Sequence, residues 1–149
     1  MLVGFFDENA RTIDASALPE PFAFTLLRED FDKIAPYFEK AAAIFPKLAT
    51  APIRRFVNGP ESFTPDDTPL IGPAPGIEGL HVCTALNSGG VTWSAAAGLM
   101  TADFLAGDPP QFNPDLFRPG RFGDKAKDIA WLKQQISDVV GHGYQQVNL

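Results

Sequence analysis

The run Leu80–Gly107 constrains this chain more than any other stretch. Leu80-His81-Val82-Cys83-Thr84-Ala85 is a short run rich in strand formers. Asn87-Ser88-Gly89-Gly90 reads as a turn. Val91 to Ala106 then reads as a helix of about four turns, with Asp103 its only charge. Gly107 supplies a C-terminal stop, and Pro109-Pro110 prevents a restart. The unit is therefore strand, glycine turn, helix. Such a turn aims backbone N–H groups and the positive end of a helix dipole at one point, where an anion or a polarised carbonyl oxygen fits. Neither GxGxxG nor GxxxxGK[ST] occurs in the 149 residues, so no phosphate-loop reading is licensed. Taken alone, the stretch reads first as a buried helix on a sheet, with its glycines there for steric reasons.

The rest of the chain narrows the options. Thirteen Phe residues supply material for a core. Twelve basic against eighteen acidic residues give a net charge of −6, which argues against a nucleic-acid or anionic-membrane surface. Cys83 is the only cysteine, so no internal disulfide forms, and its place in an apolar run reads as a small core residue. No apolar run reaches the ~20 residues of a membrane span. His81 and His142 lack companions at metal-ligand spacing, so no metal site is expected. No signal peptide is expected, and the apolar opening and close, Leu2–Phe6 and Tyr144–Leu149, read as a segment cut from something longer.

In chain order, residues 1–6 read as a strand, 7–22 as a loop and 23–27 as a short strand. Asp30 is a candidate N-cap for a helix whose Phe31, Ile34, Phe38, Ala42 and Phe45 make a core-facing stripe. Pro36 should kink that helix or delay its start. Ile53–Asn58 reads as a strand carrying Arg54 and Arg55. An inward Arg there could clamp a carboxylate, although a solvent-facing pair is the plainer reading. Asn58–Gly76 is rich in Pro and Gly yet carries Phe63, Leu70 and Ile71, which suits a rigid ordered loop over a site. Lys127–Val140 reads as a final helix ended by Gly141-His142-Gly143, with His142 read as a surface cap in preference to an acid–base group.

The combination Asn58-Gly59-Pro60-Glu61-Ser62-Phe63-Thr64-Pro65-Asp66, Pro69, Gly72, Asn87-Ser88-x-Gly90-Val91 and Arg121-Phe122 resembles FAD-dependent amine oxidoreductases of the D-amino-acid-oxidase superfamily. Within that group it is similar to the dimethylglycine and sarcosine dehydrogenases, and the similarity runs from residue 1 to about 144. The resemblance implies an α+β/α/β fold, the C-terminal part of a flavin module. Residues 1–57 would belong to a mixed-sheet substrate domain. Residues 58–107 would return to the FAD domain as loop, strand, glycine turn and helix. Residues 108–149 would lead toward a folate-binding region downstream.

The resemblance also implies FAD contacts at Asn87, Ser88, Gly89, Gly90 and Val91, on the pyrimidine side of the ring, with Pro69 and Gly72 packing beside it. The implied reaction is oxidation of an N-methylated amine by hydride transfer to flavin N5. No catalytic residue is assigned. Arg54 or Arg55 would hold a substrate carboxylate, since no basic residue stands near Thr92. The family's GxGxxG unit is missing, so the implied partner is an N-terminal FAD-binding half, on the same longer chain or a separate subunit. The expected setting is the cytoplasm, or the mitochondrial matrix in a eukaryote. The family usually has Gly where this chain has Ala85, and often Gly where it has Ala95 and Ala96. The alternative is a non-catalytic remnant or interaction module without flavin.

Overall fold

The structure, a computed structural model, describes residues 2–5, 7, 11–13, 18, 20 and 26–143. The chain divides into two compact units, Met1–Asp7 with Ile13–Pro60, and Glu8–Thr12 with Glu61–Leu149.

The first unit is built on helix α1, Phe31–Ile44. Asp30 caps it as expected: its carboxylate accepts from the Lys33 N–H at 3.1 Å. Pro36 lies inside the helix without delaying its start. The Phe stripe does not form a buried core: no described residue of α1 is buried, and Phe31 and Phe45 are exposed. The aromatic rings instead pair locally, Phe31 edge-on to Phe56 at 4.9 Å and Phe38 near Phe5 at 6.4 Å. Leu48, in the 3-10 turn Pro46–Ala49, is buried.

The expected substrate-domain strands do not form among the described residues. Residues 2–5, 26–27 and 53–58 are irregular, and the one sheet among the described residues is in the other unit. Extended segments become strands only with a hydrogen-bonding neighbour. Here Asn58 accepts from the Leu27 N–H at 2.7 Å and its side chain donates to the Arg28 carbonyl at 2.7 Å, and no ladder forms among the described residues. Residues 1, 6, 23–25 and 144–149 of the expected strands lie outside the described residues.

The second unit carries the strand–turn–helix. Strand β1, Leu70–Pro73, pairs antiparallel with β2, His81–Thr84, with Leu70 opposite Thr84 and Pro73 opposite His81. The Pro/Gly-rich loop thus contains a strand that its composition hides. Helix α2 spans Gly90–Ala106 and ends on Gly107 in the left-handed region (φ 77°), as its sequence requires. Ile71 of β1 and Ala97 and Met100 of α2 make the core, with Leu86, Phe104 and Phe117 packed against it. Helix α2 is not buried all round: Val91, Leu99 and Leu105 are exposed. Cys83 is exposed as well, not the small core residue its apolar run suggests.

Helix α3, Ile129–Gly143, starts two residues later than its periodicity suggests. The 3-10 turn Gly123–Lys127 occupies the preceding residues, and Asp128 caps the helix by accepting from the Trp131 N–H at 3.0 Å. Gly141-His142-Gly143 form its last turn and do not stop it ahead of residue 141. The side chain of His142 lies outside the described residues. No helix among the described residues is long and apolar enough to cross a membrane, and none of their acidic, His and Cys side chains group to hold a metal ion.

Candidate functional site

The site grows from three successive backbone demands. Ala85, Asn87 and Ser88 all have positive φ, at 52°, 50° and 59°. Asn tolerates that region; Ala and Ser do so at a cost of about 1–2 kcal/mol each. Such strain persists only where the surroundings over-determine it. The surroundings are visible. Asn87 Nδ2 donates to the Ala85 carbonyl at 2.9 Å, and Asn87 Oδ1 accepts from the Thr64 N–H at 2.7 Å. Thr64 is 2% exposed, and its hydroxyl donates to the Thr68 carbonyl at 2.9 Å. Gly89 N–H closes the turn onto the Leu86 carbonyl at 2.8 Å.

The two turn glycines differ. A Cβ on Gly89 would sit 2.8 Å from Trp93 Cδ1 and 3.1 Å from the Leu86 carbonyl oxygen, so the position is filled from within. A Cβ on Gly90 would meet only Leu86 Cδ1, at 3.8 Å. The first bond of α2 is Trp93 N–H to Gly89 C=O. Gly90, Val91 and Thr92 precede it, so their N–H groups have no acceptor within the helix. Val91 is 93% exposed. The turn therefore leaves the backbone donors of Gly90, Val91 and Thr92 without intrahelical acceptors at the start of α2. Donors at a helix start favour an anion or a polarised carbonyl oxygen. Ser88 Oγ donates to Glu61 Oε2 at 2.6 Å, so the serine side chain is engaged with the loop rather than turned free.

The loop opposite is held by Arg121. Its Nε and Nη2 grip Asp66 Oδ2 and Oδ1 at 2.8 and 2.7 Å. Nη2 also donates to the Thr68 carbonyl, and Nη1 to those of Pro69 and Arg118. The Arg121 side chain is 9% exposed. Partial burial raises the Asp66 carboxyl, but the Arg121 fork, the Thr68 N–H and the Arg121 charge outweigh it and hold the carboxyl below its ordinary value. Asp67 is pushed up, by burial first and by the Asp66 charge second.

Of the residues expected at the site, Asn87, Ser88, Gly89, Gly90 and Val91 form one continuous turn. Pro69 and Gly72 are buried in the unit's interior, and Gly72 faces Phe104, at the far end of α2 from the turn, and Pro119. Arg54 and Arg55 are exposed on the irregular segment of the first unit. Sequence reasoning set the loop through Thr64 and Asp66 beside the flavin, but it paired neither Thr64 with Asn87 nor Asp66 with Arg121, and it gave Glu61 no partner. Asp66 and Arg121 stand 55 positions apart. The available signal was a carboxylate in a Pro/Gly-rich loop and an Arg beside a Pro-Gly turn.

The family model for FAD dependent oxidoreductases matches residues 2–104, more than half of the chain. The chain belongs to that FAD-dependent oxidoreductase family. It is 28% identical to a 4-methylaminobutanoate oxidase (formaldehyde-forming) of Paenarthrobacter nicotinovorans over 144 residues, 97% of this chain and 17% of that protein. It is 30% identical to mouse mitochondrial sarcosine dehydrogenase over 146 residues, 97% of this chain and 16% of that protein. It is 29% identical to the mouse mitochondrial pyruvate dehydrogenase phosphatase regulatory subunit, covering 94% of this chain and 16% of that protein. Mouse dimethylglycine dehydrogenase is also a relative, at 30% over 106 residues. The chain thus spans about one-sixth of the length of the first three relatives.

Proposed function

We propose that this chain is the C-terminal portion of the flavin module of an amine oxidoreductase, acting on N-methylated amines or amino acids of the sarcosine or dimethylglycine type. The single observation that carries the reading is the glycine turn, which leaves the N–H groups of Gly90, Val91 and Thr92 without acceptors within α2. When bound, FAD would take the hydride at N5 from the C–H next to nitrogen, leaving negative charge toward N1/O2. The chain's own contribution is preorganised: the N–H groups and the α2 dipole are aimed before any charge arrives, so they favour it without reorganisation. Asn87 and Thr64 hold the turn, and the loop carrying Pro69 and Gly72 would pack beside the isoalloxazine. Arg54 or Arg55 would bind the substrate carboxylate.

The partner is an N-terminal half carrying the ADP-binding glycine motif, on the same longer chain or a separate subunit. The exposed apolar residues Val91, Leu99 and Leu105 of α2 give that half a surface to cover. A folate-binding region would follow downstream, and the setting would be the cytoplasm or the mitochondrial matrix. One relative, the pyruvate dehydrogenase phosphatase regulatory subunit, is named as a regulatory rather than an oxidising protein, which favours a second reading as a non-catalytic module. Flavin retention separates the two. The chain mixed with FAD and the N-terminal flavin half of a relative should keep bound flavin through gel filtration, and Gly90→Ala should weaken that retention while leaving the free chain as stable as before. A mixture that stays colourless refutes the flavin reading.

A further inference from the structure

We infer that Arg121 is a positioning residue that sets the geometry of the glycine turn. All five guanidinium N–H groups are spent inside the chain: two on Asp66, and one each on the carbonyls of Thr68, Pro69 and Arg118. None remains for a ligand. The open cleft of about 330 Å³ that Arg121 shares with Lys125, Trp131 and Gln135 is therefore not an arginine-lined anion site. What Arg121 controls lies on its other side. It fixes the Thr68 carbonyl, and that same carbonyl accepts the Thr64 hydroxyl. Thr64 N–H then holds Asn87 Oδ1, and Asn87 Nδ2 holds the Ala85 carbonyl. One relay of hydrogen bonds thus runs from the guanidinium to the positive-φ residues that start α2. A lysine cannot replace it, because a point charge with three donors cannot fork onto a carboxylate and cap three carbonyls.

That the positioned turn meets flavin rests on the proposed function; the relay itself is read on the free chain. The test is amide hydrogen exchange by NMR on Arg121→Lys, with Asp66→Asn as the milder second variant should the first not fold. The expected result is exchange accelerated about tenfold at Thr64 and Gly89, as for the loss of a charge-assisted hydrogen bond. Met100 and Thr101, inside α2, should change less than about twofold. Equal acceleration at all four amides would mean that Arg121 only adds global stability, and no change at Thr64 and Gly89 would mean that the relay is idle. Either result overturns the inference. A relay that behaves as expected in a chain whose wild-type form never retains flavin refutes the flavin reading alone.

Discussion

Placing one methyl group on each of the two adjacent turn glycines should have opposite consequences. In Gly89→Ala the new carbon lies 2.8 Å from Trp93 Cδ1 and 3.1 Å from the Leu86 carbonyl oxygen. Carbon atoms rest at about 3.5–4.0 Å, so something must shift by most of an ångström. The carbonyl is pinned, because it accepts the Gly89 N–H at 2.8 Å. The indole must move, and it stands edge-on to Phe117 at 5.9 Å. An apolar gap of about 50 Å³ beside Trp93, Met100 and Phe117 gives it partial relief. Overpacking with such relief costs about 1–3 kcal/mol, and disturbing the ring pair adds about 0.5–1.5. The expected loss is about 2–4 kcal/mol. In Gly90→Ala the nearest atom is at 3.8 Å, an ordinary contact. Alanine is favoured over glycine in a helix by up to about 1 kcal/mol, less at the first residue. That variant should be neutral or slightly more stable. Urea unfolding followed by tryptophan fluorescence measures both. Equal midpoints, or a larger loss in Gly90→Ala, would refute the steric account of the turn.

Asp66 titrates below its ordinary value in the folded chain. Its contribution to stability is therefore present above the unfolded carboxyl's pKa and fades as pH falls below about 4. The stability gap between wild type and Asp66→Asn should be smaller at pH 3 than at pH 7, and an unchanged gap contradicts the pairing. Asp67, raised by burial and by Asp66, works in the opposite sense and tempers the effect. In the first unit, Asp30→Ala removes the cap on Lys33 N–H and should cost about 1 kcal/mol, visible as lost helicity by circular dichroism.

The elements legible in the sequence were those written in local chemistry. Asp30, the Asn87–Gly90 turn and Gly107 each act within a few residues, and α1 and α2 began and ended within a residue of where those signals place them. Strand β1 was hidden because Gly72 and Pro73 dilute its apolar pattern, and only its pairing with β2 makes it a strand. The segments 2–5 and 53–58 erred in the other direction: strand propensity without a neighbour leaves an irregular chain. The exposed face of α2 has the same origin. Its sequence is apolar on every side, so composition reads as full burial, while this chain covers only the side bearing Ala97 and Met100. The glycine turn was visible as a motif, but what enforces it was not. Thr64 reaches Asn87 across 23 residues and Arg121 reaches Asp66 across 55, and no periodicity encodes such pairings. Ala85 illustrates the same limit. The family resemblance marks it as a place where glycine is usual, and its φ of 52° supplies the reason.

The most direct test of the account is the visible absorption spectrum of the purified chain, alone and after mixing with FAD and a relative's N-terminal flavin half. The account predicts flavin bands that stay with the protein through gel filtration in the mixture and are absent from the chain alone. A chain that melts cooperatively yet stays colourless in both samples would contradict it.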